Sequence, residues 1–228
     1  MAANAGIVTD IQEFSKQKYS IFLDEQFAFV LYKGELSAYK IKAGCPLGEA
    51  EYRQIVQQLL PKRAKKRCLN LLKSRAYTEK GLRDKLKEGR YPEEIINEAI
   101  EYVKSFHYIN DYDYACQYIG FHKETESRRR LEEKLREKGI PKDILKEAVA
   151  ASYEEGEEEQ LQLVQARRYL EKKGYSQKRA EGKERQKLYA FLMRKGISPG
   201  VIRQVLDTTA QECCQEENLF CTTDLFFP

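Results

Sequence analysis

The stretch GIPKDILKEAV, Gly139–Val149, decides how the chain is read. A near copy, RYPEEIINEAI, lies at Arg90–Ile100, and a looser one, GISPGVIRQVL, at Gly196–Leu206. Each places a proline before an aliphatic pair and then a second apolar pair. The likeness extends upstream. TEKGLRDKLKEG aligns with SRRRLEEKLREKG and with ERQKLYAFLMRKG, so that Leu82, Leu131 and Leu188 correspond, as do Leu86, Leu135 and Leu192. Leucines four residues apart share one helix face. The aliphatic pairs Ile95–Ile96, Ile144–Leu145 and Val201–Ile202 start a second helix. Gly139 and Gly196 suit the left-handed residue that ends a helix. Pro92, Pro141 and Pro199 are expected at the first positions of the next helix, where a missing N–H does no harm. In the first unit Gly89 stands one position early, so that turn is expected to differ.

A further helix precedes each pair. Its apolar positions are expected at Leu69 and Leu72, then Tyr118 and Phe121, then Leu163, Ala166 and Leu170. Three helices in about fifty residues, repeated, are the signature of a repeat architecture. The expected fold is mainly α, an elongated row of three tandem three-helix repeats behind a small N-terminal β-hairpin segment. The expected segments are 1–47 (β), 48–62 (connecting helix), 63–112, 113–156 and 157–210 (the three repeats) and 211–228 (tail). The β assignment rests on KYSIFLD and QFAFVLYKGELSAYKIKAG, rich in Ile, Phe, Val and Tyr, which read as two or three short strands with turns near Asp24–Gln26 and Gly34. EEGEEE, Glu154–Glu159, marks the junction of the second and third repeats and reads as a bend or loosely held link.

Charge is abundant. Asp, Glu, Lys and Arg make up 33% of the chain, against ~25% in an average soluble domain. The net charge is only +4, so its distribution carries the information. KRAKKR, Lys62–Arg67, and RRR, Arg128–Arg130, are basic runs, and Arg167–Lys195 holds eleven Lys and Arg against three Glu. Such an excess repels itself unless a polyanion lies nearby. The candidate contact residues are therefore Lys62, Arg63, Lys65, Lys66 and Arg67; Arg128, Arg129 and Arg130; and Arg167, Arg168, Lys172, Lys173, Lys178, Arg179, Lys183, Arg185 and Lys187. No basic stretch interleaves aromatics at regular spacing, which argues against base-specific reading.

Other chemistries find little support. There is no GxxxxGK[ST] loop and no GxSxG turn. His107 and His122, with Cys116 between them, fit no common zinc spacing. No cofactor, metal or catalytic residue is expected. No apolar run approaches the ~18 residues of a membrane span, and the first residues lack a signal-peptide pattern. The six cysteines form no CxxC pair and read as reduced thiols of a cytoplasmic protein. Tyr108, Tyr112, Tyr114 and Tyr118 cluster with Phe106 and Phe121, a pattern that fits a packed junction better than an interaction surface. The tail QEENLFCTTDLFFP is apolar at its end and could cap the last repeat or dock on a partner.

Two segments carry a family resemblance: RAYTEKGLRDKL, Arg75–Leu86, and YINDYDYA, Tyr108–Ala115. They resemble the RecX family, bacterial regulators of the RecA recombinase, whose first repeat reads R-x-x-[ST]-x-x-E-L-x-x-K-L and then L-[IL]-[DN]-D-x-x-[FY]-A. Gly81 stands where the family has glutamate. The strand-rich YSIFLDEQFAFVL is similar to longer members, and the resemblance covers about residues 15 to 207. It implies a non-enzymatic monomer that lodges in the groove of the RecA nucleoprotein filament and inhibits strand exchange and ATP hydrolysis, in the setting of homologous recombination, DNA repair and the SOS response. Single- or double-stranded DNA would be bound weakly and without sequence specificity, and no membrane is involved. Two rivals remain from the residues alone: a nucleic-acid-binding helical repeat with no recombinase partner, and a helical scaffold for another protein.

Overall fold

A computed structural model describes residues 4–175 and 182–207. The chain divides into two compact units, 1–114 and 115–228.

The first unit opens with four strands, where two or three were expected. They are β1 (Asn4–Ser15), β2 (Lys18–Leu23), β3 (Gln26–Tyr32) and β4 (Pro46–Gly48), in an antiparallel sheet of order β3-β2-β1-β4. The extra strands are β1, whose polar residues hid it, and the short β4. Asp24 and Glu25, both at positive φ, form the two-residue turn between β2 and β3, the geometry that a twisted hairpin prefers. Helix α1 (Lys33–Ala38) replaces the strand expected after Gly34. Its start is fixed by Glu35, whose carboxylate accepts the Tyr32 N–H at 2.7 Å. Ile21, Phe29 and Leu31 are buried on one sheet face and join a core shared with the helices that follow.

Helix α2 (Glu49–Gln54) passes through one π-helical stretch, Ile55–Leu59, into α3 (Leu60–Ser74). Pro61 explains the widened turn, since it lacks the N–H for an ordinary helical bond and its ring crowds the preceding turn. α3 packs with α4 (Glu79–Glu88) and α5 (Glu93–Ser105) as the first repeat. In the second unit, α6 (Asp111–His122, which begins in the first unit), α7 (Arg128–Glu137) and α8 (Lys142–Ser152) form the second repeat. α9 (Glu157–Glu171), α10 (Gly182–Arg194) and a helix over residues 199–207, α11, form the third.

The aligned leucines are the core. Leu82, Leu86, Leu131, Leu135, Leu188 and Leu192 are all buried, none more than 3% exposed. The opening helices of the first two repeats follow a different register from the expected one, whereas in the third Ala166 and Leu170 are buried as expected. Their buried pairs are Ala64 and Cys68, Ala115 and Ile119, and Ala166 and Leu170, an alanine and the residue four later in each repeat. Leu69 and Leu72 are only half-buried, and Phe121 is 82% exposed. The alanine lets helix axes approach where a larger side chain would hold them apart.

Two of the three turns differ by one residue from expectation. Pro92 and Pro141 occupy the N-cap position, before the first helical residue, whereas Pro199 is the first helical residue with Ser198 ahead of it. Gly139 and Gly196 take φ of 87° and 83°, and in the first repeat Arg90 takes that place at 55°. Arg90 sits over the rings of Phe14 and Phe27 at 4.7 and 5.7 Å and donates to Ser20 Oγ at 3.2 Å, so it fastens the first repeat to the sheet.

EEGEEE is no loose link. Gly156, in the left-handed conformation, starts α9; Glu157 holds Lys123 at 2.6 Å and Glu158 holds Arg128 at 2.9 Å. Further hydrogen bonds stitch the second and third repeats together. Gln165 Nε2 donates to the carbonyls of Lys123 and Glu126 at 2.7 and 3.1 Å. Ser127 Oγ donates to the Lys195 carbonyl at 2.6 Å. Within the third repeat, the Ser198 N–H donates to Gln162 Oε1 at 2.8 Å.

Candidate polyanion interface

The basic run on α3 splits into two faces. Leu60, Ala64 and Cys68 point into the core, and burial pushes the Cys68 thiol up to about 11, which leaves it protonated and inert. Arg63, Lys66, Arg67 and Asn70 recur at three- and four-residue spacing and so share the other face. Arg63 is engaged inside the unit. It donates to Glu35 at 2.8 Å, to the Val30 carbonyl at 2.5 Å and to the Tyr91 hydroxyl at 3.1 Å, and lies over the Tyr32 and Tyr91 rings. It thereby covers part of the open edge of β3, an exposure that edge strands must otherwise manage. Burial pushes the Tyr91 hydroxyl up, against the pull of that guanidinium. Lys65 pairs with Glu98 at 2.7 Å and lies over Tyr102. Lys62, Lys66 and Arg67 are exposed and make no ion pair with another described residue.

The run on α7 has a different fate. Arg128 donates to Glu132 and Glu158, each at 2.9 Å; these bonds, Glu132 first, outweigh its partial burial and hold its pKa above the ordinary value. Arg129 pairs with Glu133 at 3.2 Å. Arg130 is half-buried with no ion pair among the described residues.

In the third repeat, Arg167 and Arg168 are exposed on α9, Lys172 just past its end, and Lys183 and Lys187 on α10. Arg185 is held by Asp207. Lys178 and Arg179 lie outside the described residues. Sequence reasoning missed an aromatic centre here: Tyr169 and Phe191 meet edge to face at 6.2 Å, Lys173 lies 4.4 Å from the Phe191 ring, and Lys195 lies 5.5 Å from both rings. The two rings come from different helices, so no spacing in the sequence announced them.

The two motif segments of the first repeat converge. Thr78 Oγ1 accepts the Gly81 N–H at 3.0 Å, and Asp111 Oδ1 accepts the Glu79 N–H at 2.9 Å, so both satisfy the open N-terminus of α4. Gly81 occupies the capping-box position where glutamate would reach back. Burial raises the Asp111 carboxyl, with the Glu79 amide opposing. Burial also works against ionisation of Glu79, but the bonds from Lys104 and Arg83 outweigh it and hold that carboxyl below its ordinary value.

Among the described residues, no group of three or more His, Cys, Asp and Glu is placed to hold a metal, and no helix is long and apolar enough to cross a membrane. Phe106 and Tyr108 stack at 5.7 Å and are 55% and 53% exposed, so this part of the aromatic cluster faces outward.

The class these features define is a helical-repeat protein whose prominent chemistry is unpaired surface charge. Comparison with known proteins supplies the family. Residues 64–102 match the model of RecX, first three-helix domain, and residues 160–206 that of RecX, third three-helix domain. Regulatory protein RecX of Bacillus velezensis is 31% identical over 205 residues, spanning 88% of this chain and 76% of the relative. That of Caldanaerobacter subterraneus is 30% identical over 200 residues, spanning 87% and 97%. The chain belongs to the RecX family of regulatory proteins. The fold agrees with a crystal structure of regulatory protein RecX at a TM-score of 0.59 and 24% identity, covering 88% of this chain and 98% of that one. RecX from Lactobacillus salivarius gives 0.54 and 24%, covering 68% and 97%.

Proposed function

We propose that this chain regulates the RecA recombinase, binding its nucleoprotein filament in the groove and hindering strand exchange and ATP hydrolysis. Membership of the RecX family carries the reading. The mechanism is steric and electrostatic. Lys62, Lys66 and Arg67 in the first unit, and Arg167, Arg168, Lys172, Lys183 and Lys187 in the second, offer charge that no described side chain neutralises. Against a filament they displace counterions from phosphates, a contribution that tightens binding and falls with salt. The same charge gives weak affinity for free single- or double-stranded DNA without sequence preference. The protein works as a monomer in the cytoplasm, with no metal, cofactor or catalysis of its own.

The test is a titration of RecA ATPase on single-stranded DNA at fixed salt. The expected result is inhibition at well below one chain per RecA protomer. Undiminished ATPase at equimolar protein, with DNA binding intact, would replace this reading by that of a nucleic-acid-binding module without a recombinase partner.

A further inference from the structure

The edge of the N-terminal sheet and the first repeat enclose a half-open pocket of about 500 Å³, within the ~300–1,000 Å³ usual for small-ligand sites. Phe14, Lys18, Val30 and Tyr32 come from the strands, Arg63, Lys66, Arg67 and Asn70 from α3, and Lys85, Glu88, Gly89 and Tyr91 from α4 and its turn. Five of these side chains are cationic and one is acidic.

The charges divide by partner. Arg63 is held by Glu35, and Lys85 by both oxygens of Glu88 at 2.8 Å. Lys18, from β2, lies 5.4 Å from the Tyr32 ring and makes no ion pair with a described residue. With Lys66 and Arg67 it leaves three positive charges facing one concavity with no carboxylate among the described residues to balance them. A cleft with low-dielectric walls concentrates such a field. The aromatic faces are already occupied, since Lys18 and Arg63 both lie at Tyr32 and Arg63 lies at Tyr91. The pocket therefore offers little for stacking a base and much for holding an oxyanion. Arg67 supplies a planar fork that fits phosphate oxygens in pairs, Lys18 and Lys66 supply point charges, and Asn70, one turn beyond, supplies a neutral donor.

We propose that this pocket is a phosphate site, taking the phosphates of a free nucleotide or of a nucleic-acid strand, with Lys18, Lys66 and Arg67 as its charged ligands and Asn70 as its neutral one. The site shares Lys66 and Arg67 with the phosphate contacts of the recombinase reading and deepens it, but its test contains no recombinase, so either can fail alone.

The full chain is titrated at low salt with tripolyphosphate, with ATP and with fluorescein-labelled oligo(dT). The variants are Lys66→Gln/Arg67→Gln, Lys18→Gln on a separate element, and Lys142→Gln/Lys146→Gln on exposed positions of α8 as a charge-matched control. The expected result is a loss of about tenfold or more for Lys66→Gln/Arg67→Gln, a smaller loss for Lys18→Gln, and less than about twofold for the control. Binding of ATP and tripolyphosphate in mutual competition assigns the site to free phosphate chains; binding of oligo(dT) alone assigns it to a strand. The proposal is overturned if wild-type protein binds none of the three. It is also overturned if the control loses as much as the pocket variants, or if Lys18→Gln loses nothing. If oligo-glutamate binds as tightly as ATP and displaces it, the pocket docks a protein carboxylate instead.

Discussion

The first and second repeats share one sequence phrase and settle it differently. The first meets a β-sheet, and the second meets the third repeat. At the turn between its last two helices the first uses Arg90, whose side chain reaches Phe14, Phe27 and Ser20, and the second uses Gly139. At the start of its middle helix the first uses Thr78 and Asp111 as caps, whereas Ser127 at the same place turns its hydroxyl to the Lys195 carbonyl. The basic run on α3 leaves three cations unpaired among the described residues, and that on α7 puts Arg128 and Arg129 into ion pairs within the unit. A repeat thus fixes the helices, and its neighbours fix what each exposed position does.

The largest expected effect tests how the second repeat meets the third. Gly196 takes φ of 83°, and a side chain there would run into Ser127 Oγ and the Arg129 Cβ. Gly196→Val should cost about 3 kcal/mol, the sum of a left-handed penalty of ~1–2 and overpacking of ~1–3. Hydrogen exchange should show faster opening of α7 to α10 and unchanged protection of α3 to α5. Equal loss in both would mean that the two units do not unfold separately.

Arg90→Ala tests the docking of the first repeat on the sheet. The change keeps a side chain at φ of 55° while removing the ring contacts and the Ser20 bond, at a cost of about 1–2 kcal/mol by urea melting. Arg90→Gly should recover part of this, because glycine adopts that backbone freely. Were Arg90→Gly more stable than wild type, the arginine would be contributing nothing to the docking.

A smaller effect concerns acid. Glu79 is held below its ordinary pKa in the folded state, chiefly by Lys104 and Arg83 against burial. Its contribution is therefore whole above the unfolded value of ~4.3 and is lost as pH falls through the folded value. Glu79→Gln should destabilise the first unit by roughly 1 kcal/mol at pH 7, and the gap to wild type should narrow as pH falls below the unfolded value and through the lower folded one. Asp111, raised by burial, works in the opposite sense and relieves some strain as it protonates. A gap that stays constant with pH would show that the carboxylate's charge plays no part.

The helix phrase was legible because leucine spacing and turn residues are local signals: Leu82, Leu131 and Leu188 were placed in the core from spacing alone. The opening helices of the first two repeats were not, though Ala166 and Leu170 of the third were. Tyr118 and Phe121 are apolar enough to suggest a core face, yet the buried pair is Ala115 and Ile119. The signal that could have found it was the recurrence of Ala64, Ala115 and Ala166 at a fixed interval, which is weak because alanine is common. β1 was missed because its polar residues alternate poorly, and its pairing with β2 and β4 is non-local. The basic runs were visible, but whether each cation is free depends on carboxylates distant in sequence, such as Glu35 for Arg63 and Glu158 for Arg128. Lys18 and Asn70 could join the site only once the sheet and α3 were brought together.

The central proposal is that two similar basic runs differ in what they bind because Lys62, Lys66 and Arg67 of one are unpaired among the described residues, whereas Arg128 and Arg129 of the other are paired within their own unit. The most direct measurement compares Lys66→Gln/Arg67→Gln with Arg128→Gln/Arg129→Gln, equal changes in charge, in affinity for the RecA nucleoprotein filament as salt is varied. The α3 pair should weaken binding by about tenfold and lower the slope of log K against log salt by ~0.7–0.9 for each phosphate that is no longer neutralised. The α7 pair should leave that slope unchanged and lower the melting temperature instead. Equal slope changes from both pairs, or a change from the α7 pair alone, would contradict the account.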